Sequence, residues 1–292
     1  MIQISREDLT FHTNYEDMYK NIQSDLKIYI VKHRLKSLVL GISGGIDSAL
    51  CAVLAKPVCD KLKIPLIGVS LPTSSNKTDE VTRAFNIGKL FCNKFKEIPI
   101  GHTYNVLENL CNDFLDEIYE PKMSKNIRHG NIKARLRMIY LYNLAQFYNG
   151  MVLSTDNYTE YLLGFWTLHG DVGDYCPFQN LWKTEVYGLA QWIVDNKLTD
   201  PDHKKALQDC INAVPTDGLG ITDSDLDQLG CKTYADVDIY LLSMFFPPVE
   251  LDGWPTTEYL TILKRHEASE FKRNNPYNPE RYKILMTTKL PF

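Results

Sequence analysis

A surplus of basic residues, a paired-cysteine motif and a long apolar run are all missing from this chain of 292 residues. Its 32 Lys and Arg are outnumbered by 36 Asp and Glu, for a formal net charge of -4, so it lacks the cationic excess that grips a nucleic-acid backbone. No nucleic-acid partner is expected. The seven cysteines are scattered without a CxxC pair or a His-rich cluster, which excludes the usual sequence signs of a zinc site or a disulfide framework. No segment is apolar for long enough to span a bilayer, and the start, Met1 to Asp8, carries early acidic residues and no apolar core of a signal peptide. A cytoplasmic protein without membrane contact is expected. Internal repeats and low-complexity tracts are absent as well.

What is present alternates. Short apolar runs at 37–42, 66–70, 95–100 and 151–154 read as strands of a buried parallel sheet. Helical spacing of apolar residues fills 47–63, 78–93, 106–119 and 131–148 between them. This βαβα order predicts an α/β fold with a doubly wound parallel sheet. A helix over 15–34, with Met18, Ile22, Leu26 and Ile30 on one face, is expected to cover the sheet. Further helices are expected at 184–196, 223–229, 234–245 and 258–271. The segment 200–222, with Pro201, Pro215, Gly218 and Gly220, reads as a ligand loop. We expect one domain over 1–292: an N-terminal helical cover to about 36, an α/β core over about 37–198, that loop, and a C-terminal helical part over about 223–292.

The first strand runs directly into Ser43-Gly-Gly-Ile-Asp-Ser48 and then into the apolar helix that begins near Ala49. Glycines let backbone N–H groups approach an anion, the hydroxyls of Ser43 and Ser48 add donors, and a helix N-terminus adds partial positive charge. Gly41, Ile42, Ser43, Gly44, Gly45, Ile46, Asp47 and Ser48 are therefore candidates to hold the phosphates of ATP. The loop contains no lysine, so it is not a Walker loop. Asp47 repels phosphate and is read as a ligand of Mg²⁺ that would bridge to it. The plain alternative is a tight turn with a capped helix, and the strand-loop-helix setting favours the phosphate reading.

Two later segments carry chemistry. Asn131 to Tyr140 reads as a helix with Arg135 and Arg137 beside an apolar stripe, placed either to grip anions or to form a solvated basic face. Ser154 to Glu160 begins at the carboxyl end of the fourth strand, where open α/β sheets bind ligands. There Glu160 is a second candidate Mg²⁺ ligand and the Thr155 hydroxyl a candidate contact to ATP, while Asp156 and Asn157 suit a helix cap.

The loop resembles the signature of ATP pyrophosphatases, which split the α-β bond of ATP and adenylate a substrate. Together with NxKARxRM from Asn131, TDNxxE from Thr155, the stretch Gly170 to Pro177, Lys183, PTxGL from Pro215 and the segment Phe271 to Pro276, the chain is similar to ammonia-dependent NAD synthetases over about 37–276. That resemblance implies the adenine nucleotide alpha-hydrolase-like fold with added C-terminal helices. It implies that Thr155, Lys183 and Thr216 contact ATP, that Arg135, Asp174, Phe271 and Lys272 lie on the deamido-NAD side, and that Asp47 and Glu160 hold Mg²⁺. Asp47, Lys183 and Asp174 are the expected catalytic residues, Asp174 as an aid to ammonia deprotonation. The implied reaction adenylates the deamido-NAD carboxylate with ATP, releases pyrophosphate, and lets ammonia displace AMP to give NAD.

Three features depart from the pattern. Leu168-His169 stands where many members place a lysine, the stretch from Asp171 to Pro177 is one residue short, and Phe271 replaces a histidine. Another synthetase that adenylates a different carboxylate or carbonyl is the alternative, and a non-catalytic nucleotide-binding relative is a second. There is no room before Ser37 for a glutaminase domain, so free ammonia is the expected donor, with a separate glutaminase subunit the other source. A homodimer is implied, and Met138, Leu141 and Tyr142 suit either helix pairing between subunits or the core of one.

Overall fold

The structure is a computed structural model that describes residues 14–113, 115, 119–215, 224–245 and 256–280. Element order begins with α1 (Tyr15–His33), β1 (Leu38–Gly41), α2 (Ile46–Leu62), β2 (Leu66–Ser70), α3 (Thr78–Phe91), β3 (Lys94–Glu97), α4 (Gly101–Asn112), α5 (Lys122–Phe147) and β4 (Met151–Val152). It continues with α6 (Tyr158–Leu163), α7 (Lys183–Asn196), α8 (Pro201–Ile211), α9 (Asp225–Leu229), α10 (Tyr234–Ser243), α11 (Thr256–Ala268) and α12 (Glu270–Arg273).

The four strands form one parallel sheet in the order β3-β2-β1-β4. Leu38 pairs with Leu66 on one side and Met151 on the other. β1 and β2 are apolar because both of their faces are covered. Side chains alternate across the pleat: Leu38 and Leu40 join α1, α2, α7 and α8 in the main core, while Val39, Ile67 and Val152 pack on Ala145 of α5. Helices on both faces make the sheet doubly wound, as the alternating pattern predicted.

Several boundaries differ from the sequence reading, each for a physical reason. β3 is an edge strand and takes Lys94 and Lys96, charges that suit an open edge; Ile98 and Ile100 leave the strand and pack in a satellite cluster. β4 ends at Val152, after which Leu153 bridges to Tyr175 and Ser154 N donates to Tyr175 O. α4 starts five residues before the expected 106, at Gly101, and ends at Asn112. α5 extends back to Lys122 through a polar stretch in which Met123 and Ile127 stay exposed, so no apolar stripe announced it.

The larger correction concerns the expected loop over 200–222. Residues 201–211 are helix α8, with Asp200 accepting from Asp202 N and His203 N as N-cap and Pro201 in its first turn. The Asp-Pro pair that reads as a turn is here a helix start, since proline at the first helical position sacrifices no hydrogen bond. Ala206, Leu207 and Cys210 bury this helix against the main core. Thr216, Gly218 and Gly220 lie outside the described residues. Among the described residues, no helix is long and apolar enough to cross a membrane.

Candidate active site

In the order β3-β2-β1-β4 the chain winds outward from β1 through β2 to β3 and then returns to β4 on the other side of β1. The carboxyl ends of β1 and β4 therefore flank the switch point, where a crevice opens. β1 delivers the loop Ile42–Gly45 there, and β4 delivers Ser154–Asn157. A cavity of about 260 Å³ occupies this place. Its wall takes in the polar and loop residues Gly41, Ser43, Gly45, Asp47, Glu160 and Lys183 together with the apolar Val69, Leu71, Met138 and Leu141.

The loop is braced from within. Ser43 N donates to Ser48 Oγ at 3.1 Å, Ser48 Oγ donates to Gly45 O at 3.2 Å, and Gly45 N donates to Ser43 Oγ at 3.2 Å. The serines thus shape the turn as well as offering hydroxyls to a ligand. Gly45 stands as the N-cap of α2 with no side-chain cap, so the helix N-terminus keeps unsatisfied N–H groups for an anion. Gly44 is required twice over. Its φ of +86° is left-handed, and a Cβ there would lie 2.2 Å from Glu80 O on α3.

Three of the expected residues converge on one point. The Lys183 ammonium, on a side chain 3% exposed, donates to Asp47 Oδ2 at 2.6 Å and to Glu160 Oε1 at 2.9 Å. Asn157 Nδ2 donates to Asp47 Oδ1 at 3.0 Å, and Asn157 and Glu160 form the capping box of α6. Burial works against the Lys183 charge, but Asp47 and Glu160 outweigh it and raise its pKa well above the ordinary value. Burial likewise raises Glu160, with Lys183 pulling the other way and Asp47 adding to the rise. Asp156, beside them, is pushed up to about 7 by burial and by Asp171, although Ser154 Oγ donates to it at 2.5 Å.

The remaining expected residues lie apart from this cluster. Among the described residues, the cavity wall does not include Thr155, Arg135, Asp174, Phe271 or Lys272. Arg135 is exposed and donates to Leu168 O at 3.2 Å, whereas Arg137 lines the cavity, with Nε donating to Leu71 O at 3.1 Å. Asp174 spends both oxygens on the sheet edge, accepting from Tyr142 OH and from Val152 N at 2.9 Å each. Lys272 Nζ donates to Gly164 O at 2.6 Å and also to Trp166 O. Arg265 and Arg273 donate to Leu163 O and Leu162 O, so cations from the C-terminal helices gather on the carbonyls that end α6. Phe271 is 61% exposed. His169, at the first departure noted in the sequence, lies 3.3 Å from Asn275 Nδ2.

Sequence reasoning missed Asp238. This residue of α10 is fully buried, accepts from Thr159 Oγ1, and accepts from Thr184 N at 2.8 Å and Thr184 Oγ1 at 2.6 Å. Lys183 N donates to the same Thr159 hydroxyl at 2.9 Å. One carboxylate therefore ties together the positions next to Glu160 and Lys183. Burial raises it to about 6, against the hydrogen bonds from both threonines. Nothing in the local sequence marks it, because a lone aspartate on a helix is ordinarily a surface residue.

A family model described as NAD synthase matches residues 18–276. A protein of Finegoldia magna named NH(3)-dependent NAD(+) synthetase is 34% identical over 231 residues, which is 79% of this chain and 86% of that protein. Among solved structures, an NMN synthetase from Francisella tularensis superposes with a TM-score of 0.75 at 26% identity, covering 92% of this chain and 99% of its own. An NH3-dependent NAD synthetase from Campylobacter jejuni in complex with nitrate has the same fold, with a TM-score of 0.69 at 22% identity over 92% of this chain and all of its own. The match spans all four strands, the glycine loop and the Asp47-Lys183-Glu160 cluster, and the chain belongs to the NAD synthase family.

Proposed function

We propose that this protein converts deamido-NAD, ATP and ammonia to NAD, AMP and pyrophosphate by way of an acyl-adenylate. The observation that carries the reading is the Lys183 ammonium, held by Asp47 and Glu160 beside the glycine loop in the wall of the cavity. Phosphates would rest on the loop N–H groups and the N-terminus of α2. The adenine would lie against Val69, Leu71, Met138 and Leu141. The substrate carboxylate attacks the α-phosphorus, the bond to the bridging oxygen breaks, and pyrophosphate leaves. Ammonia then adds to the activated carbonyl, loses a proton, and AMP departs. Lys183 faces the charge that grows on the leaving pyrophosphate, and the apolar wall limits water.

Magnesium fits this site. Asp47 and Glu160 aim hard carboxylate oxygens at a single cationic locus beside the loop, and Mg²⁺ commonly takes one or two carboxylates together with substrate phosphates. When bound it would neutralise phosphate charge. With it bound, Lys183 would share its carboxylate partners and could turn its ammonium to phosphate.

The C-terminal cations act on this reading through α6, whose carbonyls they cap while its N-terminal turn presents Glu160. Asp174 braces Tyr142 and β4, and the roles of Arg135, Lys272 and Phe271 toward deamido-NAD fall to the rim outside the cavity. A homodimer would use the exposed apolar residues of α4 and α5, including Val106, Leu110, Ile139 and Phe147; Met138, Leu141 and Tyr142 instead face the cavity. A cytoplasmic setting suits the seven free cysteines.

The test is incubation with ATP, Mg²⁺ and ammonium, offering either deamido-NAD or the corresponding mononucleotide. NAD and AMP in equal amounts from deamido-NAD are expected. AMP from neither acceptor would overturn adenylation, and AMP from the mononucleotide alone would make the reaction NMN synthesis, as the name of the Francisella tularensis protein has it.

A further inference from the structure

The cavity wall contains a cation that the reaction scheme above does not use. Arg83 stands on the turn of α3 that lies against the phosphate loop, the same turn whose Glu80 carbonyl leaves no room for a side chain at Gly44. Its Nε donates to Gly44 O at 3.0 Å and its Nη1 pairs with Asp79 Oδ2 at 2.6 Å. The Arg83 side chain is 15% exposed and that of Asp79 is 66% exposed. A guanidinium has five N–H donors in a planar fork. Among the described residues, Nη2 of Arg83 meets no acceptor.

The other cations in the wall already have strong partners in the structure. Lys183 is matched by two carboxylates, and Arg137 is turned to Leu71 O and to Asn76 Oδ1. Arg83 is matched only by a solvent-exposed carboxylate, and exposed pairs of this type are weak. A polyphosphate on the loop offers a denser anion, held without the competition of bulk water on every side. The backbone bond to Gly44 O keeps the guanidinium at the loop whether or not Asp79 stays.

We propose that Arg83 is a binding residue for the pyrophosphate end of ATP and for the pyrophosphate product, exchanging Asp79 for phosphate oxygens when either binds. The proposal rests on the reading that this cavity splits ATP between its α and β phosphates. It also supplies a loop that carries no lysine of its own with a cation from the neighbouring helix, in addition to Lys183.

The experiment uses the full-length protein with inorganic pyrophosphate and Mg²⁺ as probe, measured by calorimetry, alongside KM for ATP and for deamido-NAD. Arg83→Gln is expected to weaken pyrophosphate and to raise KM for ATP, each by about 10-fold, the effect of one charged hydrogen-bonding contact. KM for deamido-NAD stays the same. Arg83→Lys recovers part of the loss. Asp79→Asn, which removes the competing carboxylate, is expected to tighten pyrophosphate by about 2- to 5-fold, the scale of an exposed ion pair. Unchanged pyrophosphate affinity in Arg83→Gln would overturn the proposal. So would an Asp79→Asn variant that weakens pyrophosphate, because the pair would then be a brace for the loop and nothing more. If the unaltered protein binds no pyrophosphate, the failure lies with the ATP-splitting reading.

Discussion

Replacing Lys183 with methionine keeps the length of the side chain and deletes its charge. Asp47 and Glu160, whose oxygens lie 2.6 and 2.9 Å from the ammonium, would then face each other with no cation between them. Removing one partner of a buried pair costs about 3–5 kcal/mol, and the 18% exposure left to each carboxylate places this case near about 3 kcal/mol. The cost should depend on pH with a definite sign. Burial already raises the folded pKa of Glu160 while Lys183 opposes the rise, so without the lysine it climbs further. A carboxyl with a raised folded pKa contributes stability that is present at low pH and lost as pH rises through the folded value. With the folded value of Glu160 at about 8 in the unaltered protein and higher in the variant, the deficit of Lys183→Met should be smallest near about pH 6, where Glu160 is neutral in both, and largest near about pH 9. Urea midpoints of both proteins in chelator, at both pH values, give the numbers. Turnover should fall by about 100-fold or more, the scale of a lost electrostatic contact to the transition state. A deficit that is equal at both pH values, or a variant with unchanged turnover, would refute the account of the cluster.

Asp238→Ala leaves Thr184 N without its buried acceptor, so a loss of about 1–3 kcal/mol in urea stability is expected, with kcat lowered more than KM for ATP because Lys183 and Glu160 lose their shared anchor. Stability lost with kcat intact would show Asp238 to be structural only. Asp238→Asn tests the sign of its titration. The wild type should lose stability relative to the variant as pH rises through about 6, where the buried carboxyl ionises, and parallel pH profiles would contradict that. Gly44→Ala forces a left-handed φ on a residue with a Cβ, at a cost of about 1–2 kcal/mol, and drives that Cβ into the Glu80 carbonyl; a urea midpoint and a KM for ATP both near wild type would mean that the loop is built differently. Asp47→Asn should retain the fold by circular dichroism and lose nearly all turnover at every Mg²⁺ concentration.

The parallel strands and the strand-glycine turn-helix unit were legible because both depend on local pattern: buried strands are written as uninterrupted apolar runs, and the glycine pair sits directly between strand and helix. What was not legible depends on helical phase and on contacts distant in sequence. Arg135 and Arg137 are only two residues apart, yet one is exposed at Leu168 and the other lines the cavity, a difference set by how α5 lies on the sheet. Asp238 and Arg83 occupy ordinary helical sequence and gain their roles from Thr159 and Gly44, residues far away along the chain. Lys272 was expected to meet an anion because it is a cation in a family motif, whereas here it caps backbone carbonyls at the end of α6. Asp200-Pro201 reads as a turn or as a helix start equally well, and only the burial of Leu207 and Cys210 decides between them.

The central claim is that the substrate carboxylate itself attacks the α-phosphorus of ATP. Deamido-NAD carrying heavy oxygen in that carboxylate, turned over with ATP and ammonium, tests it in a single mass spectrum of the products. The account predicts one labelled oxygen in the phosphate of each AMP and none in pyrophosphate. Label absent from AMP, or appearing in pyrophosphate or inorganic phosphate, would contradict it.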